Sequence, residues 1–231
     1  MNEGMASVGQ VLAHQDYPGD YTLLRVTTDL AGSLQPGHSL QLDTTLWPVL
    51  YPAPERGWVD CLLRHAPPLA VSATIRLAGP VGEPFALAAA TPRALLLADG
   101  AGIAPIVFLA RVLRNRQPRV KPFALLSLTP PLPFRAQPSR IMTPGLPTEV
   151  IAALPLLEDW SIPSRIVCPG EYQPGCFEGE VMALARSWLD VSQGVADVTI
   201  FACGGASLLD HTRNLADAYR LACQTRTIHP V

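Results

Sequence analysis

From Ser7 to about Leu87 the chain carries short runs of β-branched, aromatic or alternating side chains, separated by Gly, Pro and Asp. Such runs predict β-strands, and we assign them to Val8–His14, Tyr21–Thr27, Ser39–Leu42, Trp58–Arg64 and Ala73–Leu77. The stretches Tyr17–Asp20 and Gln35–Gly37 are turn signals, because Pro fixes φ and Gly supplies a positive φ. Short strands without an amphipathic helix before Pro105 predict a small antiparallel β-barrel.

After Thr91 the pattern alternates between short apolar runs and segments with helical spacing. The predicted strands are Ala94–Ala98, Phe123–Leu128, Arg165–Cys168 and Val198–Ala202. The predicted helices are Pro105–Arg116, Glu149–Trp160 with Thr148 as its cap, Glu178–Leu189 and Ser207–Ala222. Such alternation predicts a parallel sheet with helices on both faces. The fold class is therefore β-barrel plus α/β, with an antiparallel barrel over 1–90 and a Rossmann-like domain over 91–231.

Composition narrows the class of protein. The 231 residues are 48% hydrophobic and 16% charged, which is typical of a globular chain. The net charge of −2 and the lack of a long basic run argue against nucleic acid and anionic membranes as partners. No apolar run approaches the ~20 residues that span a bilayer, and the first residues do not resemble a signal peptide. We expect a cytoplasmic protein without a membrane span.

The cysteines and histidines predict no metal site. The five cysteines are scattered without a Cys-x-x-Cys pair, and none of the five histidines stands at ligand spacing. The turn Asp99-Gly100-Ala101-Gly102 is a more promising candidate for binding, since it joins a buried strand to a helix that Ala104-Pro105 opens. Amide N–H groups and the positive end of a helix dipole converge at such a turn and favour an anion. An ordinary strand-to-helix turn explains the same residues, so both interpretations stay open.

The order of the motifs resembles that of the ferredoxin-reductase superfamily, and most of all its dihydroorotate dehydrogenase electron-transfer subunits. The resemblance extends over nearly the whole chain. It is carried by Pro36–Leu40 (the turn before the flavin strand), Gly79–Phe85 (the segment that closes the barrel), Ala98–Pro105 (the Gly-Gly-x-Gly-Ile-Ala-Pro dinucleotide loop), Glu171–Glu180 (the Asp-Gly-Ser-x-Gly stretch) and Phe201–Leu208 (the Cys-Gly-Pro-x-x-Met motif).

The resemblance implies a nicotinamide dinucleotide, NAD(P), in a cleft at the carboxyl ends of the strands. The residues that it assigns to this cofactor are Gly100, Ala101, Gly102, Ile103, Cys203, Gly204 and Gly205. It also implies a catalytic role for Cys203 beside the nicotinamide ring. The alternative for Cys203 is a small buried residue that ends a strand, as is common for free cysteine.

The flavin segment departs from the family pattern, Arg-x-Tyr-Ser or Arg-Pro-x-Ser. The resemblance places it at Trp47-Pro48-Val49-Leu50, where Trp47 replaces the arginine that holds the flavin phosphate and Leu50 replaces the hydroxyl that bonds the ring. The loss of the arginine removes a charge-assisted hydrogen bond, and His65–Leu69 occupies the place of a Gly-Thr segment. The resemblance implies FAD, which on this pattern could still bind by stacking on Trp47 or Tyr51.

Other departures concern the dinucleotide loop and the iron–sulfur cluster. Asp99 replaces a glycine and would repel phosphate unless it is turned away or pairs with a base, for which Arg93 and Arg135 are candidates by position; Gly205 replaces the proline of the second motif. Only Cys223 follows Cys203. Because such a cluster needs four thiolates, we expect no iron–sulfur cluster.

The leading hypothesis is an oxidoreductase-like electron-transfer subunit, or an NAD(P)H-dependent flavin reductase, that moves reducing equivalents via flavin to a protein redox partner or catalytic subunit. The alternative is a descendant without flavin or cluster that acts as a binding or regulatory subunit. A hydrolase is a third hypothesis, but no Gly-x-Ser-x-Gly elbow exists, and Ser207, Asp210 and His211 lie on one predicted helix.

Overall fold

The N-terminal strands close into an antiparallel barrel. The computed structural model describes residues 5–89, 91–116, 119–192 and 195–228. The strands are β1 (Met5–Tyr17), β2 (Tyr21–Thr27), β3 (Ser39–Leu42), β4 (Thr45–Ala53), β5 (Trp58–Arg64) and β6 (Thr74–Val81). They pair in the order β1-β2-β5-β4-β3-β6, and β6 pairs with β1 to close the barrel. The predicted N-terminal barrel is confirmed.

Strand β4 was not predicted, and its prolines explain why. Pro48 and Pro52 lie within it, and Pro argues against a strand because it cannot donate to the hydrogen-bond ladder. In the structure Pro48 lies opposite Ser39 of β3, Pro52 lies opposite Val59 of β5, and a bulge shifts the register between Val49 and Tyr51. The bulge and the closed barrel accommodate both prolines.

The C-terminal half is a parallel sheet. Its elements are β7 (Arg93–Asp99), α1 (Ile103–Arg116), β8 (Lys121–Ser127), β9 (Gln137–Pro138), β10 (Ala152–Ala153), α2 (Pro155–Asp159), β11 (Ser164–Val167), α3 (Val181–Asp190), β12 (Val198–Gly204), α4 (Ala206–Tyr219) and β13 (Ala222–Thr227). The main sheet has the order β11-β8-β7-β12-β13 with parallel pairs, and β9 and β10 form a separate short ladder. Helix α1 packs in the core on one face, and α3 and α4 pack in the core on the other. The predicted α/β arrangement is confirmed.

Two predicted helices differ from the structure. The helix predicted over Glu149–Trp160 is wrong, because Ala152–Ala153 is extended and the short α2 begins at Pro155. Pro is favourable in the first turn, so it starts this helix instead of interrupting one. The last helix ends at Tyr219, where Arg220 adopts a left-handed φ of 57°, and the following residues form the largely polar strand β13.

The barrel and the sheet share side chains across their boundary. Phe108 and Val112 of α1 pack in the barrel core with Trp47 and other apolar residues. The Arg111 guanidinium lies 3.8 Å from the ring centroid of Tyr51 on β4 and 4.9 Å from that of Trp160 after α2. Helix α1 therefore ties the two parts together. The predicted boundary near residue 90 falls on a residue outside the described ranges and stays a prediction. Within those ranges, no helix is long and apolar enough to cross a membrane.

Candidate functional site

A cavity opens where the connections of the sheet change direction. The chain leaves β7 through α1 to reach β8 on one side, whereas β12 lies on the other side of β7. In open α/β sheets, ligands bind beside such a switch point at the carboxyl ends of the strands. The cavity has a volume of about 420 Å³ and is lined by Leu46, Pro48, Leu63, Arg64, His65, Asp99, Gly100, Ala101, Gly204, Gly205 and Ile228. Both the barrel and the sheet domain therefore form its wall, and its volume suits a small ligand or part of a cofactor.

The two glycines of the turn after β7 have different roles. Gly100 has a φ of +48°, and a Cβ built on it meets nothing within 4 Å. A Cβ on Gly102 would lie 2.0 Å from the backbone oxygen of Cys203. Gly100 thus leaves the cavity open, whereas Gly102 allows the turn to pack on the backbone of β12. The turn therefore approaches the protein's own chain at Gly102 and the cavity at Gly100.

The predicted dinucleotide residues form two layers. Gly100, Ala101, Gly204 and Gly205 line the cavity. Gly102, Ile103 and Cys203 are buried behind them, with exposures of 2% for Ile103 and 1% for Cys203. The first group can touch a ligand through backbone atoms, and the second group supports the first.

Asp99 bridges the two strands at the switch point. The Gly205 N–H donates a hydrogen bond of 2.9 Å to Asp99 Oδ1. Burial raises the pKa of Asp99, and the hydrogen bond from Gly205 opposes that rise. A Cβ on Gly204 would lie 2.0 Å from Asp99 Oδ1, so Gly204 makes room for this carboxyl group. A titratable group therefore lies where the glycine of the resembled loop would leave open space.

The bases proposed for Asp99 lie elsewhere. Arg93 is at the opposite end of β7, where its guanidinium stacks 4.6 Å from the Trp188 ring centroid and donates to Ser192 Oγ. Arg135 lines another cavity, which it shares with Glu171. The predicted pairing of Asp99 with Arg93 is wrong, because a strand of seven residues separates the two side chains. A backbone amide takes the place of the base.

Cys203 lies at the end of β12, below the cavity. Burial raises the pKa of its thiol to about 12, and the nearby Asp99 adds to the rise. Since the thiolate is the nucleophilic form, Cys203 is a neutral thiol at pH 7. This placement matches the alternative interpretation of Cys203 as a small buried residue that ends a strand.

The residues predicted for flavin point in different directions from β4. Trp47 is fully buried in the barrel core, and its indole Nε1 has no hydrogen-bond partner among the described residues. Pro48 lines the 420 Å³ cavity, and Val49 is buried in the barrel. Leu50 lines a separate apolar cavity of about 230 Å³. The stacking predicted for Trp47 is wrong, because its ring is enclosed by protein. Arg111 already lies over the ring of Tyr51, as described above.

Sequence reasoning assigned no role to Arg64 or His65, which form the basic side of the cavity. Both are exposed at the end of β5. The Arg64 guanidinium lies 5.4 Å from the ring centroid of Tyr21, and His65 Nδ1 lies 3.9 Å from the carboxylate of Asp20. The signal was available, since His65 begins the segment that replaces the Gly-Thr motif of the resembled family.

The residues of the cavity fit a nicotinamide dinucleotide better than they fit FAD. Gly100 and Ala101 expose backbone to the cavity, and Arg64 offers a cation to a phosphate. For flavin, β4 presents Pro48 as an apolar surface but no charged donor. The donor set therefore does not reproduce a tight flavin phosphate site. In the described part of the chain, no group of three or more His, Cys, Asp or Glu side chains could hold a metal ion.

Comparison with known proteins identifies the fold. No protein-family profile and no curated protein matches the sequence. Among solved structures, the chain is similar to the cytochrome P450 reductase GcoB of Amycolatopsis, with 16% identity, a TM-score of 0.72 and coverage of 97% of this chain and 70% of that one. The chain has the ferredoxin-reductase fold.

Other similar structures agree on the fold. The flavohem-like FAD/NAD-binding domain of nitric oxide dioxygenase from Vibrio cholerae matches with 13% identity, a TM-score of 0.72 and coverage of 99% of this chain and all of that one (100%). An NADH-dependent reduced ferredoxin-NADP oxidoreductase matches with 13% identity, a TM-score of 0.71 and coverage of 100% of this chain and 79% of that one. At such identities the likeness establishes the fold alone.

Proposed function

We propose that this chain is an oxidoreductase-like electron-transfer subunit that moves reducing equivalents from a nicotinamide dinucleotide, via flavin, to a protein redox partner or catalytic subunit. One observation carries the proposal: Pro48 from the flavin-like strand and Gly100, Ala101 and Gly204 from the dinucleotide-like segments line a single cavity. Hydride transfer between two rings requires that they meet in one site. The motifs favour a relative of the dihydroorotate dehydrogenase electron-transfer subunit within this class.

The names of similar proteins support the class of reaction. They include a cytochrome P450 reductase, an FAD/NAD-binding domain and an NADH-dependent oxidoreductase. A flavin supplies the hydride-accepting chemistry when it is bound. The chain's part is to position the ligands and to keep water away from them. Leu46, Pro48 and Leu63 provide the apolar wall for this purpose.

The polar residues of the cavity set the orientation of a bound dinucleotide. In the proposal, Arg64 attracts a phosphate at the barrel side, and the backbone of Gly100, Ala101, Gly204 and Gly205 approaches the ligand from the sheet side. The ionised Asp99 carboxylate repels an anionic ligand. Because its pKa is raised by burial, protonation removes that repulsion at a higher pH than for an exposed aspartate. Cys203, a neutral thiol buried behind Gly204, supports the cavity wall from below.

A second function is favoured by specific observations. The chain could be a binding or regulatory subunit that has lost flavin, because Trp47 fills the place of the phosphate-holding arginine with a buried ring and Asp99 spans the crevice to Gly205. In that case the cavity holds a nucleotide or a segment of a partner without redox chemistry.

The absorption spectrum of the purified chain separates the two functions. The chain is titrated with FAD or FMN, binding is followed by the change in flavin absorption, and the mixture is then titrated without oxygen with NADH or NADPH. The first function predicts a bound flavin that the dinucleotide bleaches. A chain that binds NADH but no flavin would support the second function, and failure to bind either ligand would contradict the first function and exclude a nicotinamide dinucleotide as the ligand of the second.

Paired variants connect the result to the cavity. Arg64→Ala should weaken binding of a phosphate-bearing ligand by about tenfold, since a charge-assisted hydrogen bond contributes about 1.5 kcal/mol or more. Arg76→Ala on β6 is the matched control, because Arg76 is exposed and does not line the cavity. Equal affinity of the two variants would place the ligand elsewhere.

A further inference from the structure

The fold brings together two cysteines that are separated in the sequence. Cys168 directly follows β11, and the chain then makes a loop and returns through Cys176 to Phe177, which forms a parallel bridge with Val167. The Phe177 N–H donates to the Ile166 oxygen at 2.9 Å, and the Cys168 N–H donates to the Phe177 oxygen at 2.9 Å. The backbones on both sides of the bridge therefore run side by side.

The register puts both thiols on one face of the sheet. Side chains alternate between faces along extended backbone, so Cys168 points opposite to Val167, and Cys176 points opposite to Phe177. The two cores agree with this assignment. Cys168 and Cys176 belong to the core on the α1 face, whereas Val167 and Phe177 belong to the core on the α3 and α4 face.

The thiols are close enough to influence each other. Burial raises the pKa of Cys168 to about 12, and Cys176 adds to that rise. Burial also raises the pKa of Cys176, and the Cys168 thiol opposes that rise through its interaction with the Cys176 sulfur. The interaction raises the pKa of Cys168 and lowers that of Cys176, so Cys176 is the easier of the two to ionise.

Only one of the two is accessible to a reagent. Cys168 is fully buried, whereas Cys176 is half-buried and lines a cavity of about 720 Å³ between the loops that follow β8 and β11. A small oxidant can enter this cavity and meet Cys176, with Cys168 behind it. A reactive thiol in front of a resolving thiol is the arrangement that forms a disulfide by exchange.

We propose that Cys168 and Cys176 form a reversible disulfide that fastens the loop between them to the end of β11. The Cys176 thiolate attacks one sulfur of a low-molecular-weight disulfide and releases one thiol. The Cys168 thiolate then attacks the Cys176 sulfur of the mixed disulfide and releases the second thiol. The protein pair loses two electrons and two protons, which the oxidant gains as its disulfide becomes two thiols. A dithiol reverses both steps.

This site is independent of the proposed electron transfer, since it uses no residue of the 420 Å³ cavity. The loop that it would fasten contains Glu171 and Gly175, within the stretch that resembles a glycine-rich segment of the ferredoxin-reductase superfamily. Oxidation would therefore restrain one wall of the 720 Å³ cavity without changing the fold of the sheet.

Peptide mapping of the full chain tests the proposal directly. The folded protein is incubated at length with oxidised glutathione, because thiols with raised pKa values exchange slowly; it is then denatured, alkylated and digested with trypsin. Arg165 and Arg186 are successive trypsin sites, so one peptide, 166–186, carries both cysteines and no others. We expect this peptide to be unalkylated and two hydrogens lighter than its reduced form, while Cys61 and Cys223 are alkylated.

A second digestion and matched variants complete the test. Cleavage after Glu171 separates the two cysteines, so the fragments should stay joined until a dithiol is added. Cys168→Ser should leave a glutathione adduct on Cys176, and Cys223→Ser should form the disulfide as the natural chain does. Full alkylation of both cysteines, a lasting adduct on Cys176 in the natural chain, or a bond from Cys176 to Cys223 would each overturn the proposal.

Discussion

Strand β4 and the turn between β7 and α1 line the same cavity, yet different forces shape them. In the turn, Gly102 lies against the backbone oxygen of Cys203, which leaves no space for a side chain, and on β12 Gly204 lies against the carboxyl group of Asp99. On β4, Trp47 stands where the resembled flavin motif has an arginine, and its ring packs in the barrel core. Packing therefore requires glycine at positions 102 and 204, whereas the side chains of β4 depart from the flavin pattern that the sequence resembles.

This difference affects how the motifs should be interpreted. A glycine that is needed for packing stays in place whether or not a dinucleotide binds. Gly102 and Gly204 are thus evidence for the fold, whereas Gly100, which faces open space at a φ of +48°, is the glycine that a ligand could use. The charged residues of the cavity, Arg64 and Asp99, carry the information about the ligand.

The largest expected effect is on the barrel. Trp47→Ala should lower the free energy of unfolding by about 3–5 kcal/mol, because it empties a fully buried site of a large ring. Denaturant unfolding followed by far-UV circular dichroism measures the change. Trp47→Phe should cost less, since it keeps an aromatic ring and removes the unpartnered Nε1. An unchanged stability of Trp47→Ala would show that this side chain is not part of the barrel core.

Gly102→Ala should destabilise the sheet domain by about 3 kcal/mol, as expected for overpacking against a rigid backbone atom. The matched variant is Gly100→Ala, which meets open space and costs about 1–2 kcal/mol for its left-handed φ. Thermal and denaturant unfolding of both variants provide the comparison. If Gly100→Ala is the more damaging of the two, the turn does not pack on β12 as described.

Asp99→Asn should raise the affinity for NADH or NADPH at neutral pH by roughly tenfold. Removing one like charge near a phosphate lowers the free energy of binding by about 1.4 kcal/mol. This lies between about 1 kcal/mol for a charge pair in water and about 4 kcal/mol for a pair near a protein surface. In the natural chain, affinity should rise as the pH falls through the raised pKa of Asp99, because the repelling form is then lost. Isothermal titration calorimetry across pH measures both effects.

The control for this prediction is Asp210→Asn, at an exposed position on α4 that pairs with Arg213 and does not line the cavity. It should leave the affinity and its pH dependence as in the natural chain. Equal behaviour of the Asp99 and Asp210 variants would mean that the phosphates bind away from the crevice between β7 and β12.

The smallest expected effect is at the boundary of the two parts. Arg111→Ala should cost about 1 kcal/mol, since it removes the stacking of one guanidinium on Tyr51 and Trp160. Arg114→Ala on the same helix is exposed and should change stability by less than about 0.5 kcal/mol. If unfolding energies of the two variants agree, Arg111 does not connect the barrel to the sheet domain.

Much of the fold follows from local patterns. The apolar run Ala94–Ala98 predicts the buried part of β7, and the alternation of strands and helices predicts the parallel sheet. The failures have physical causes. Pro48 and Pro52 remove the sequence signal of a strand from β4, and polar residues remove it from β13 at the edge of the sheet. Pro155 begins a short helix within a stretch that the sequence pattern assigns to a longer one.

The candidate site was predictable in part. Its backbone-lined side, Gly100 to Ala101 and Gly204 to Gly205, follows from the glycine pattern and the resemblance. The basic side at Arg64 and His65 comes from the barrel; His65 begins the segment that replaces the Gly-Thr motif, but its place in the cavity depends on contacts between distant segments. The same holds for Ile228, which follows a strand that was not predicted.

By itself, the sequence determined which segments are strands or helices in most of the chain and where the turn after β7 lies, because these depend on residues a few positions apart. Tertiary structure decided the direction of each functional side chain. Barrel closure buried Trp47, pairing of β7 with β12 joined Asp99 to the Gly205 amide, and the bridge between Val167 and Phe177 placed Cys168 beside Cys176. Such contacts depend on how separate elements pack, and packing is settled only when the whole chain folds.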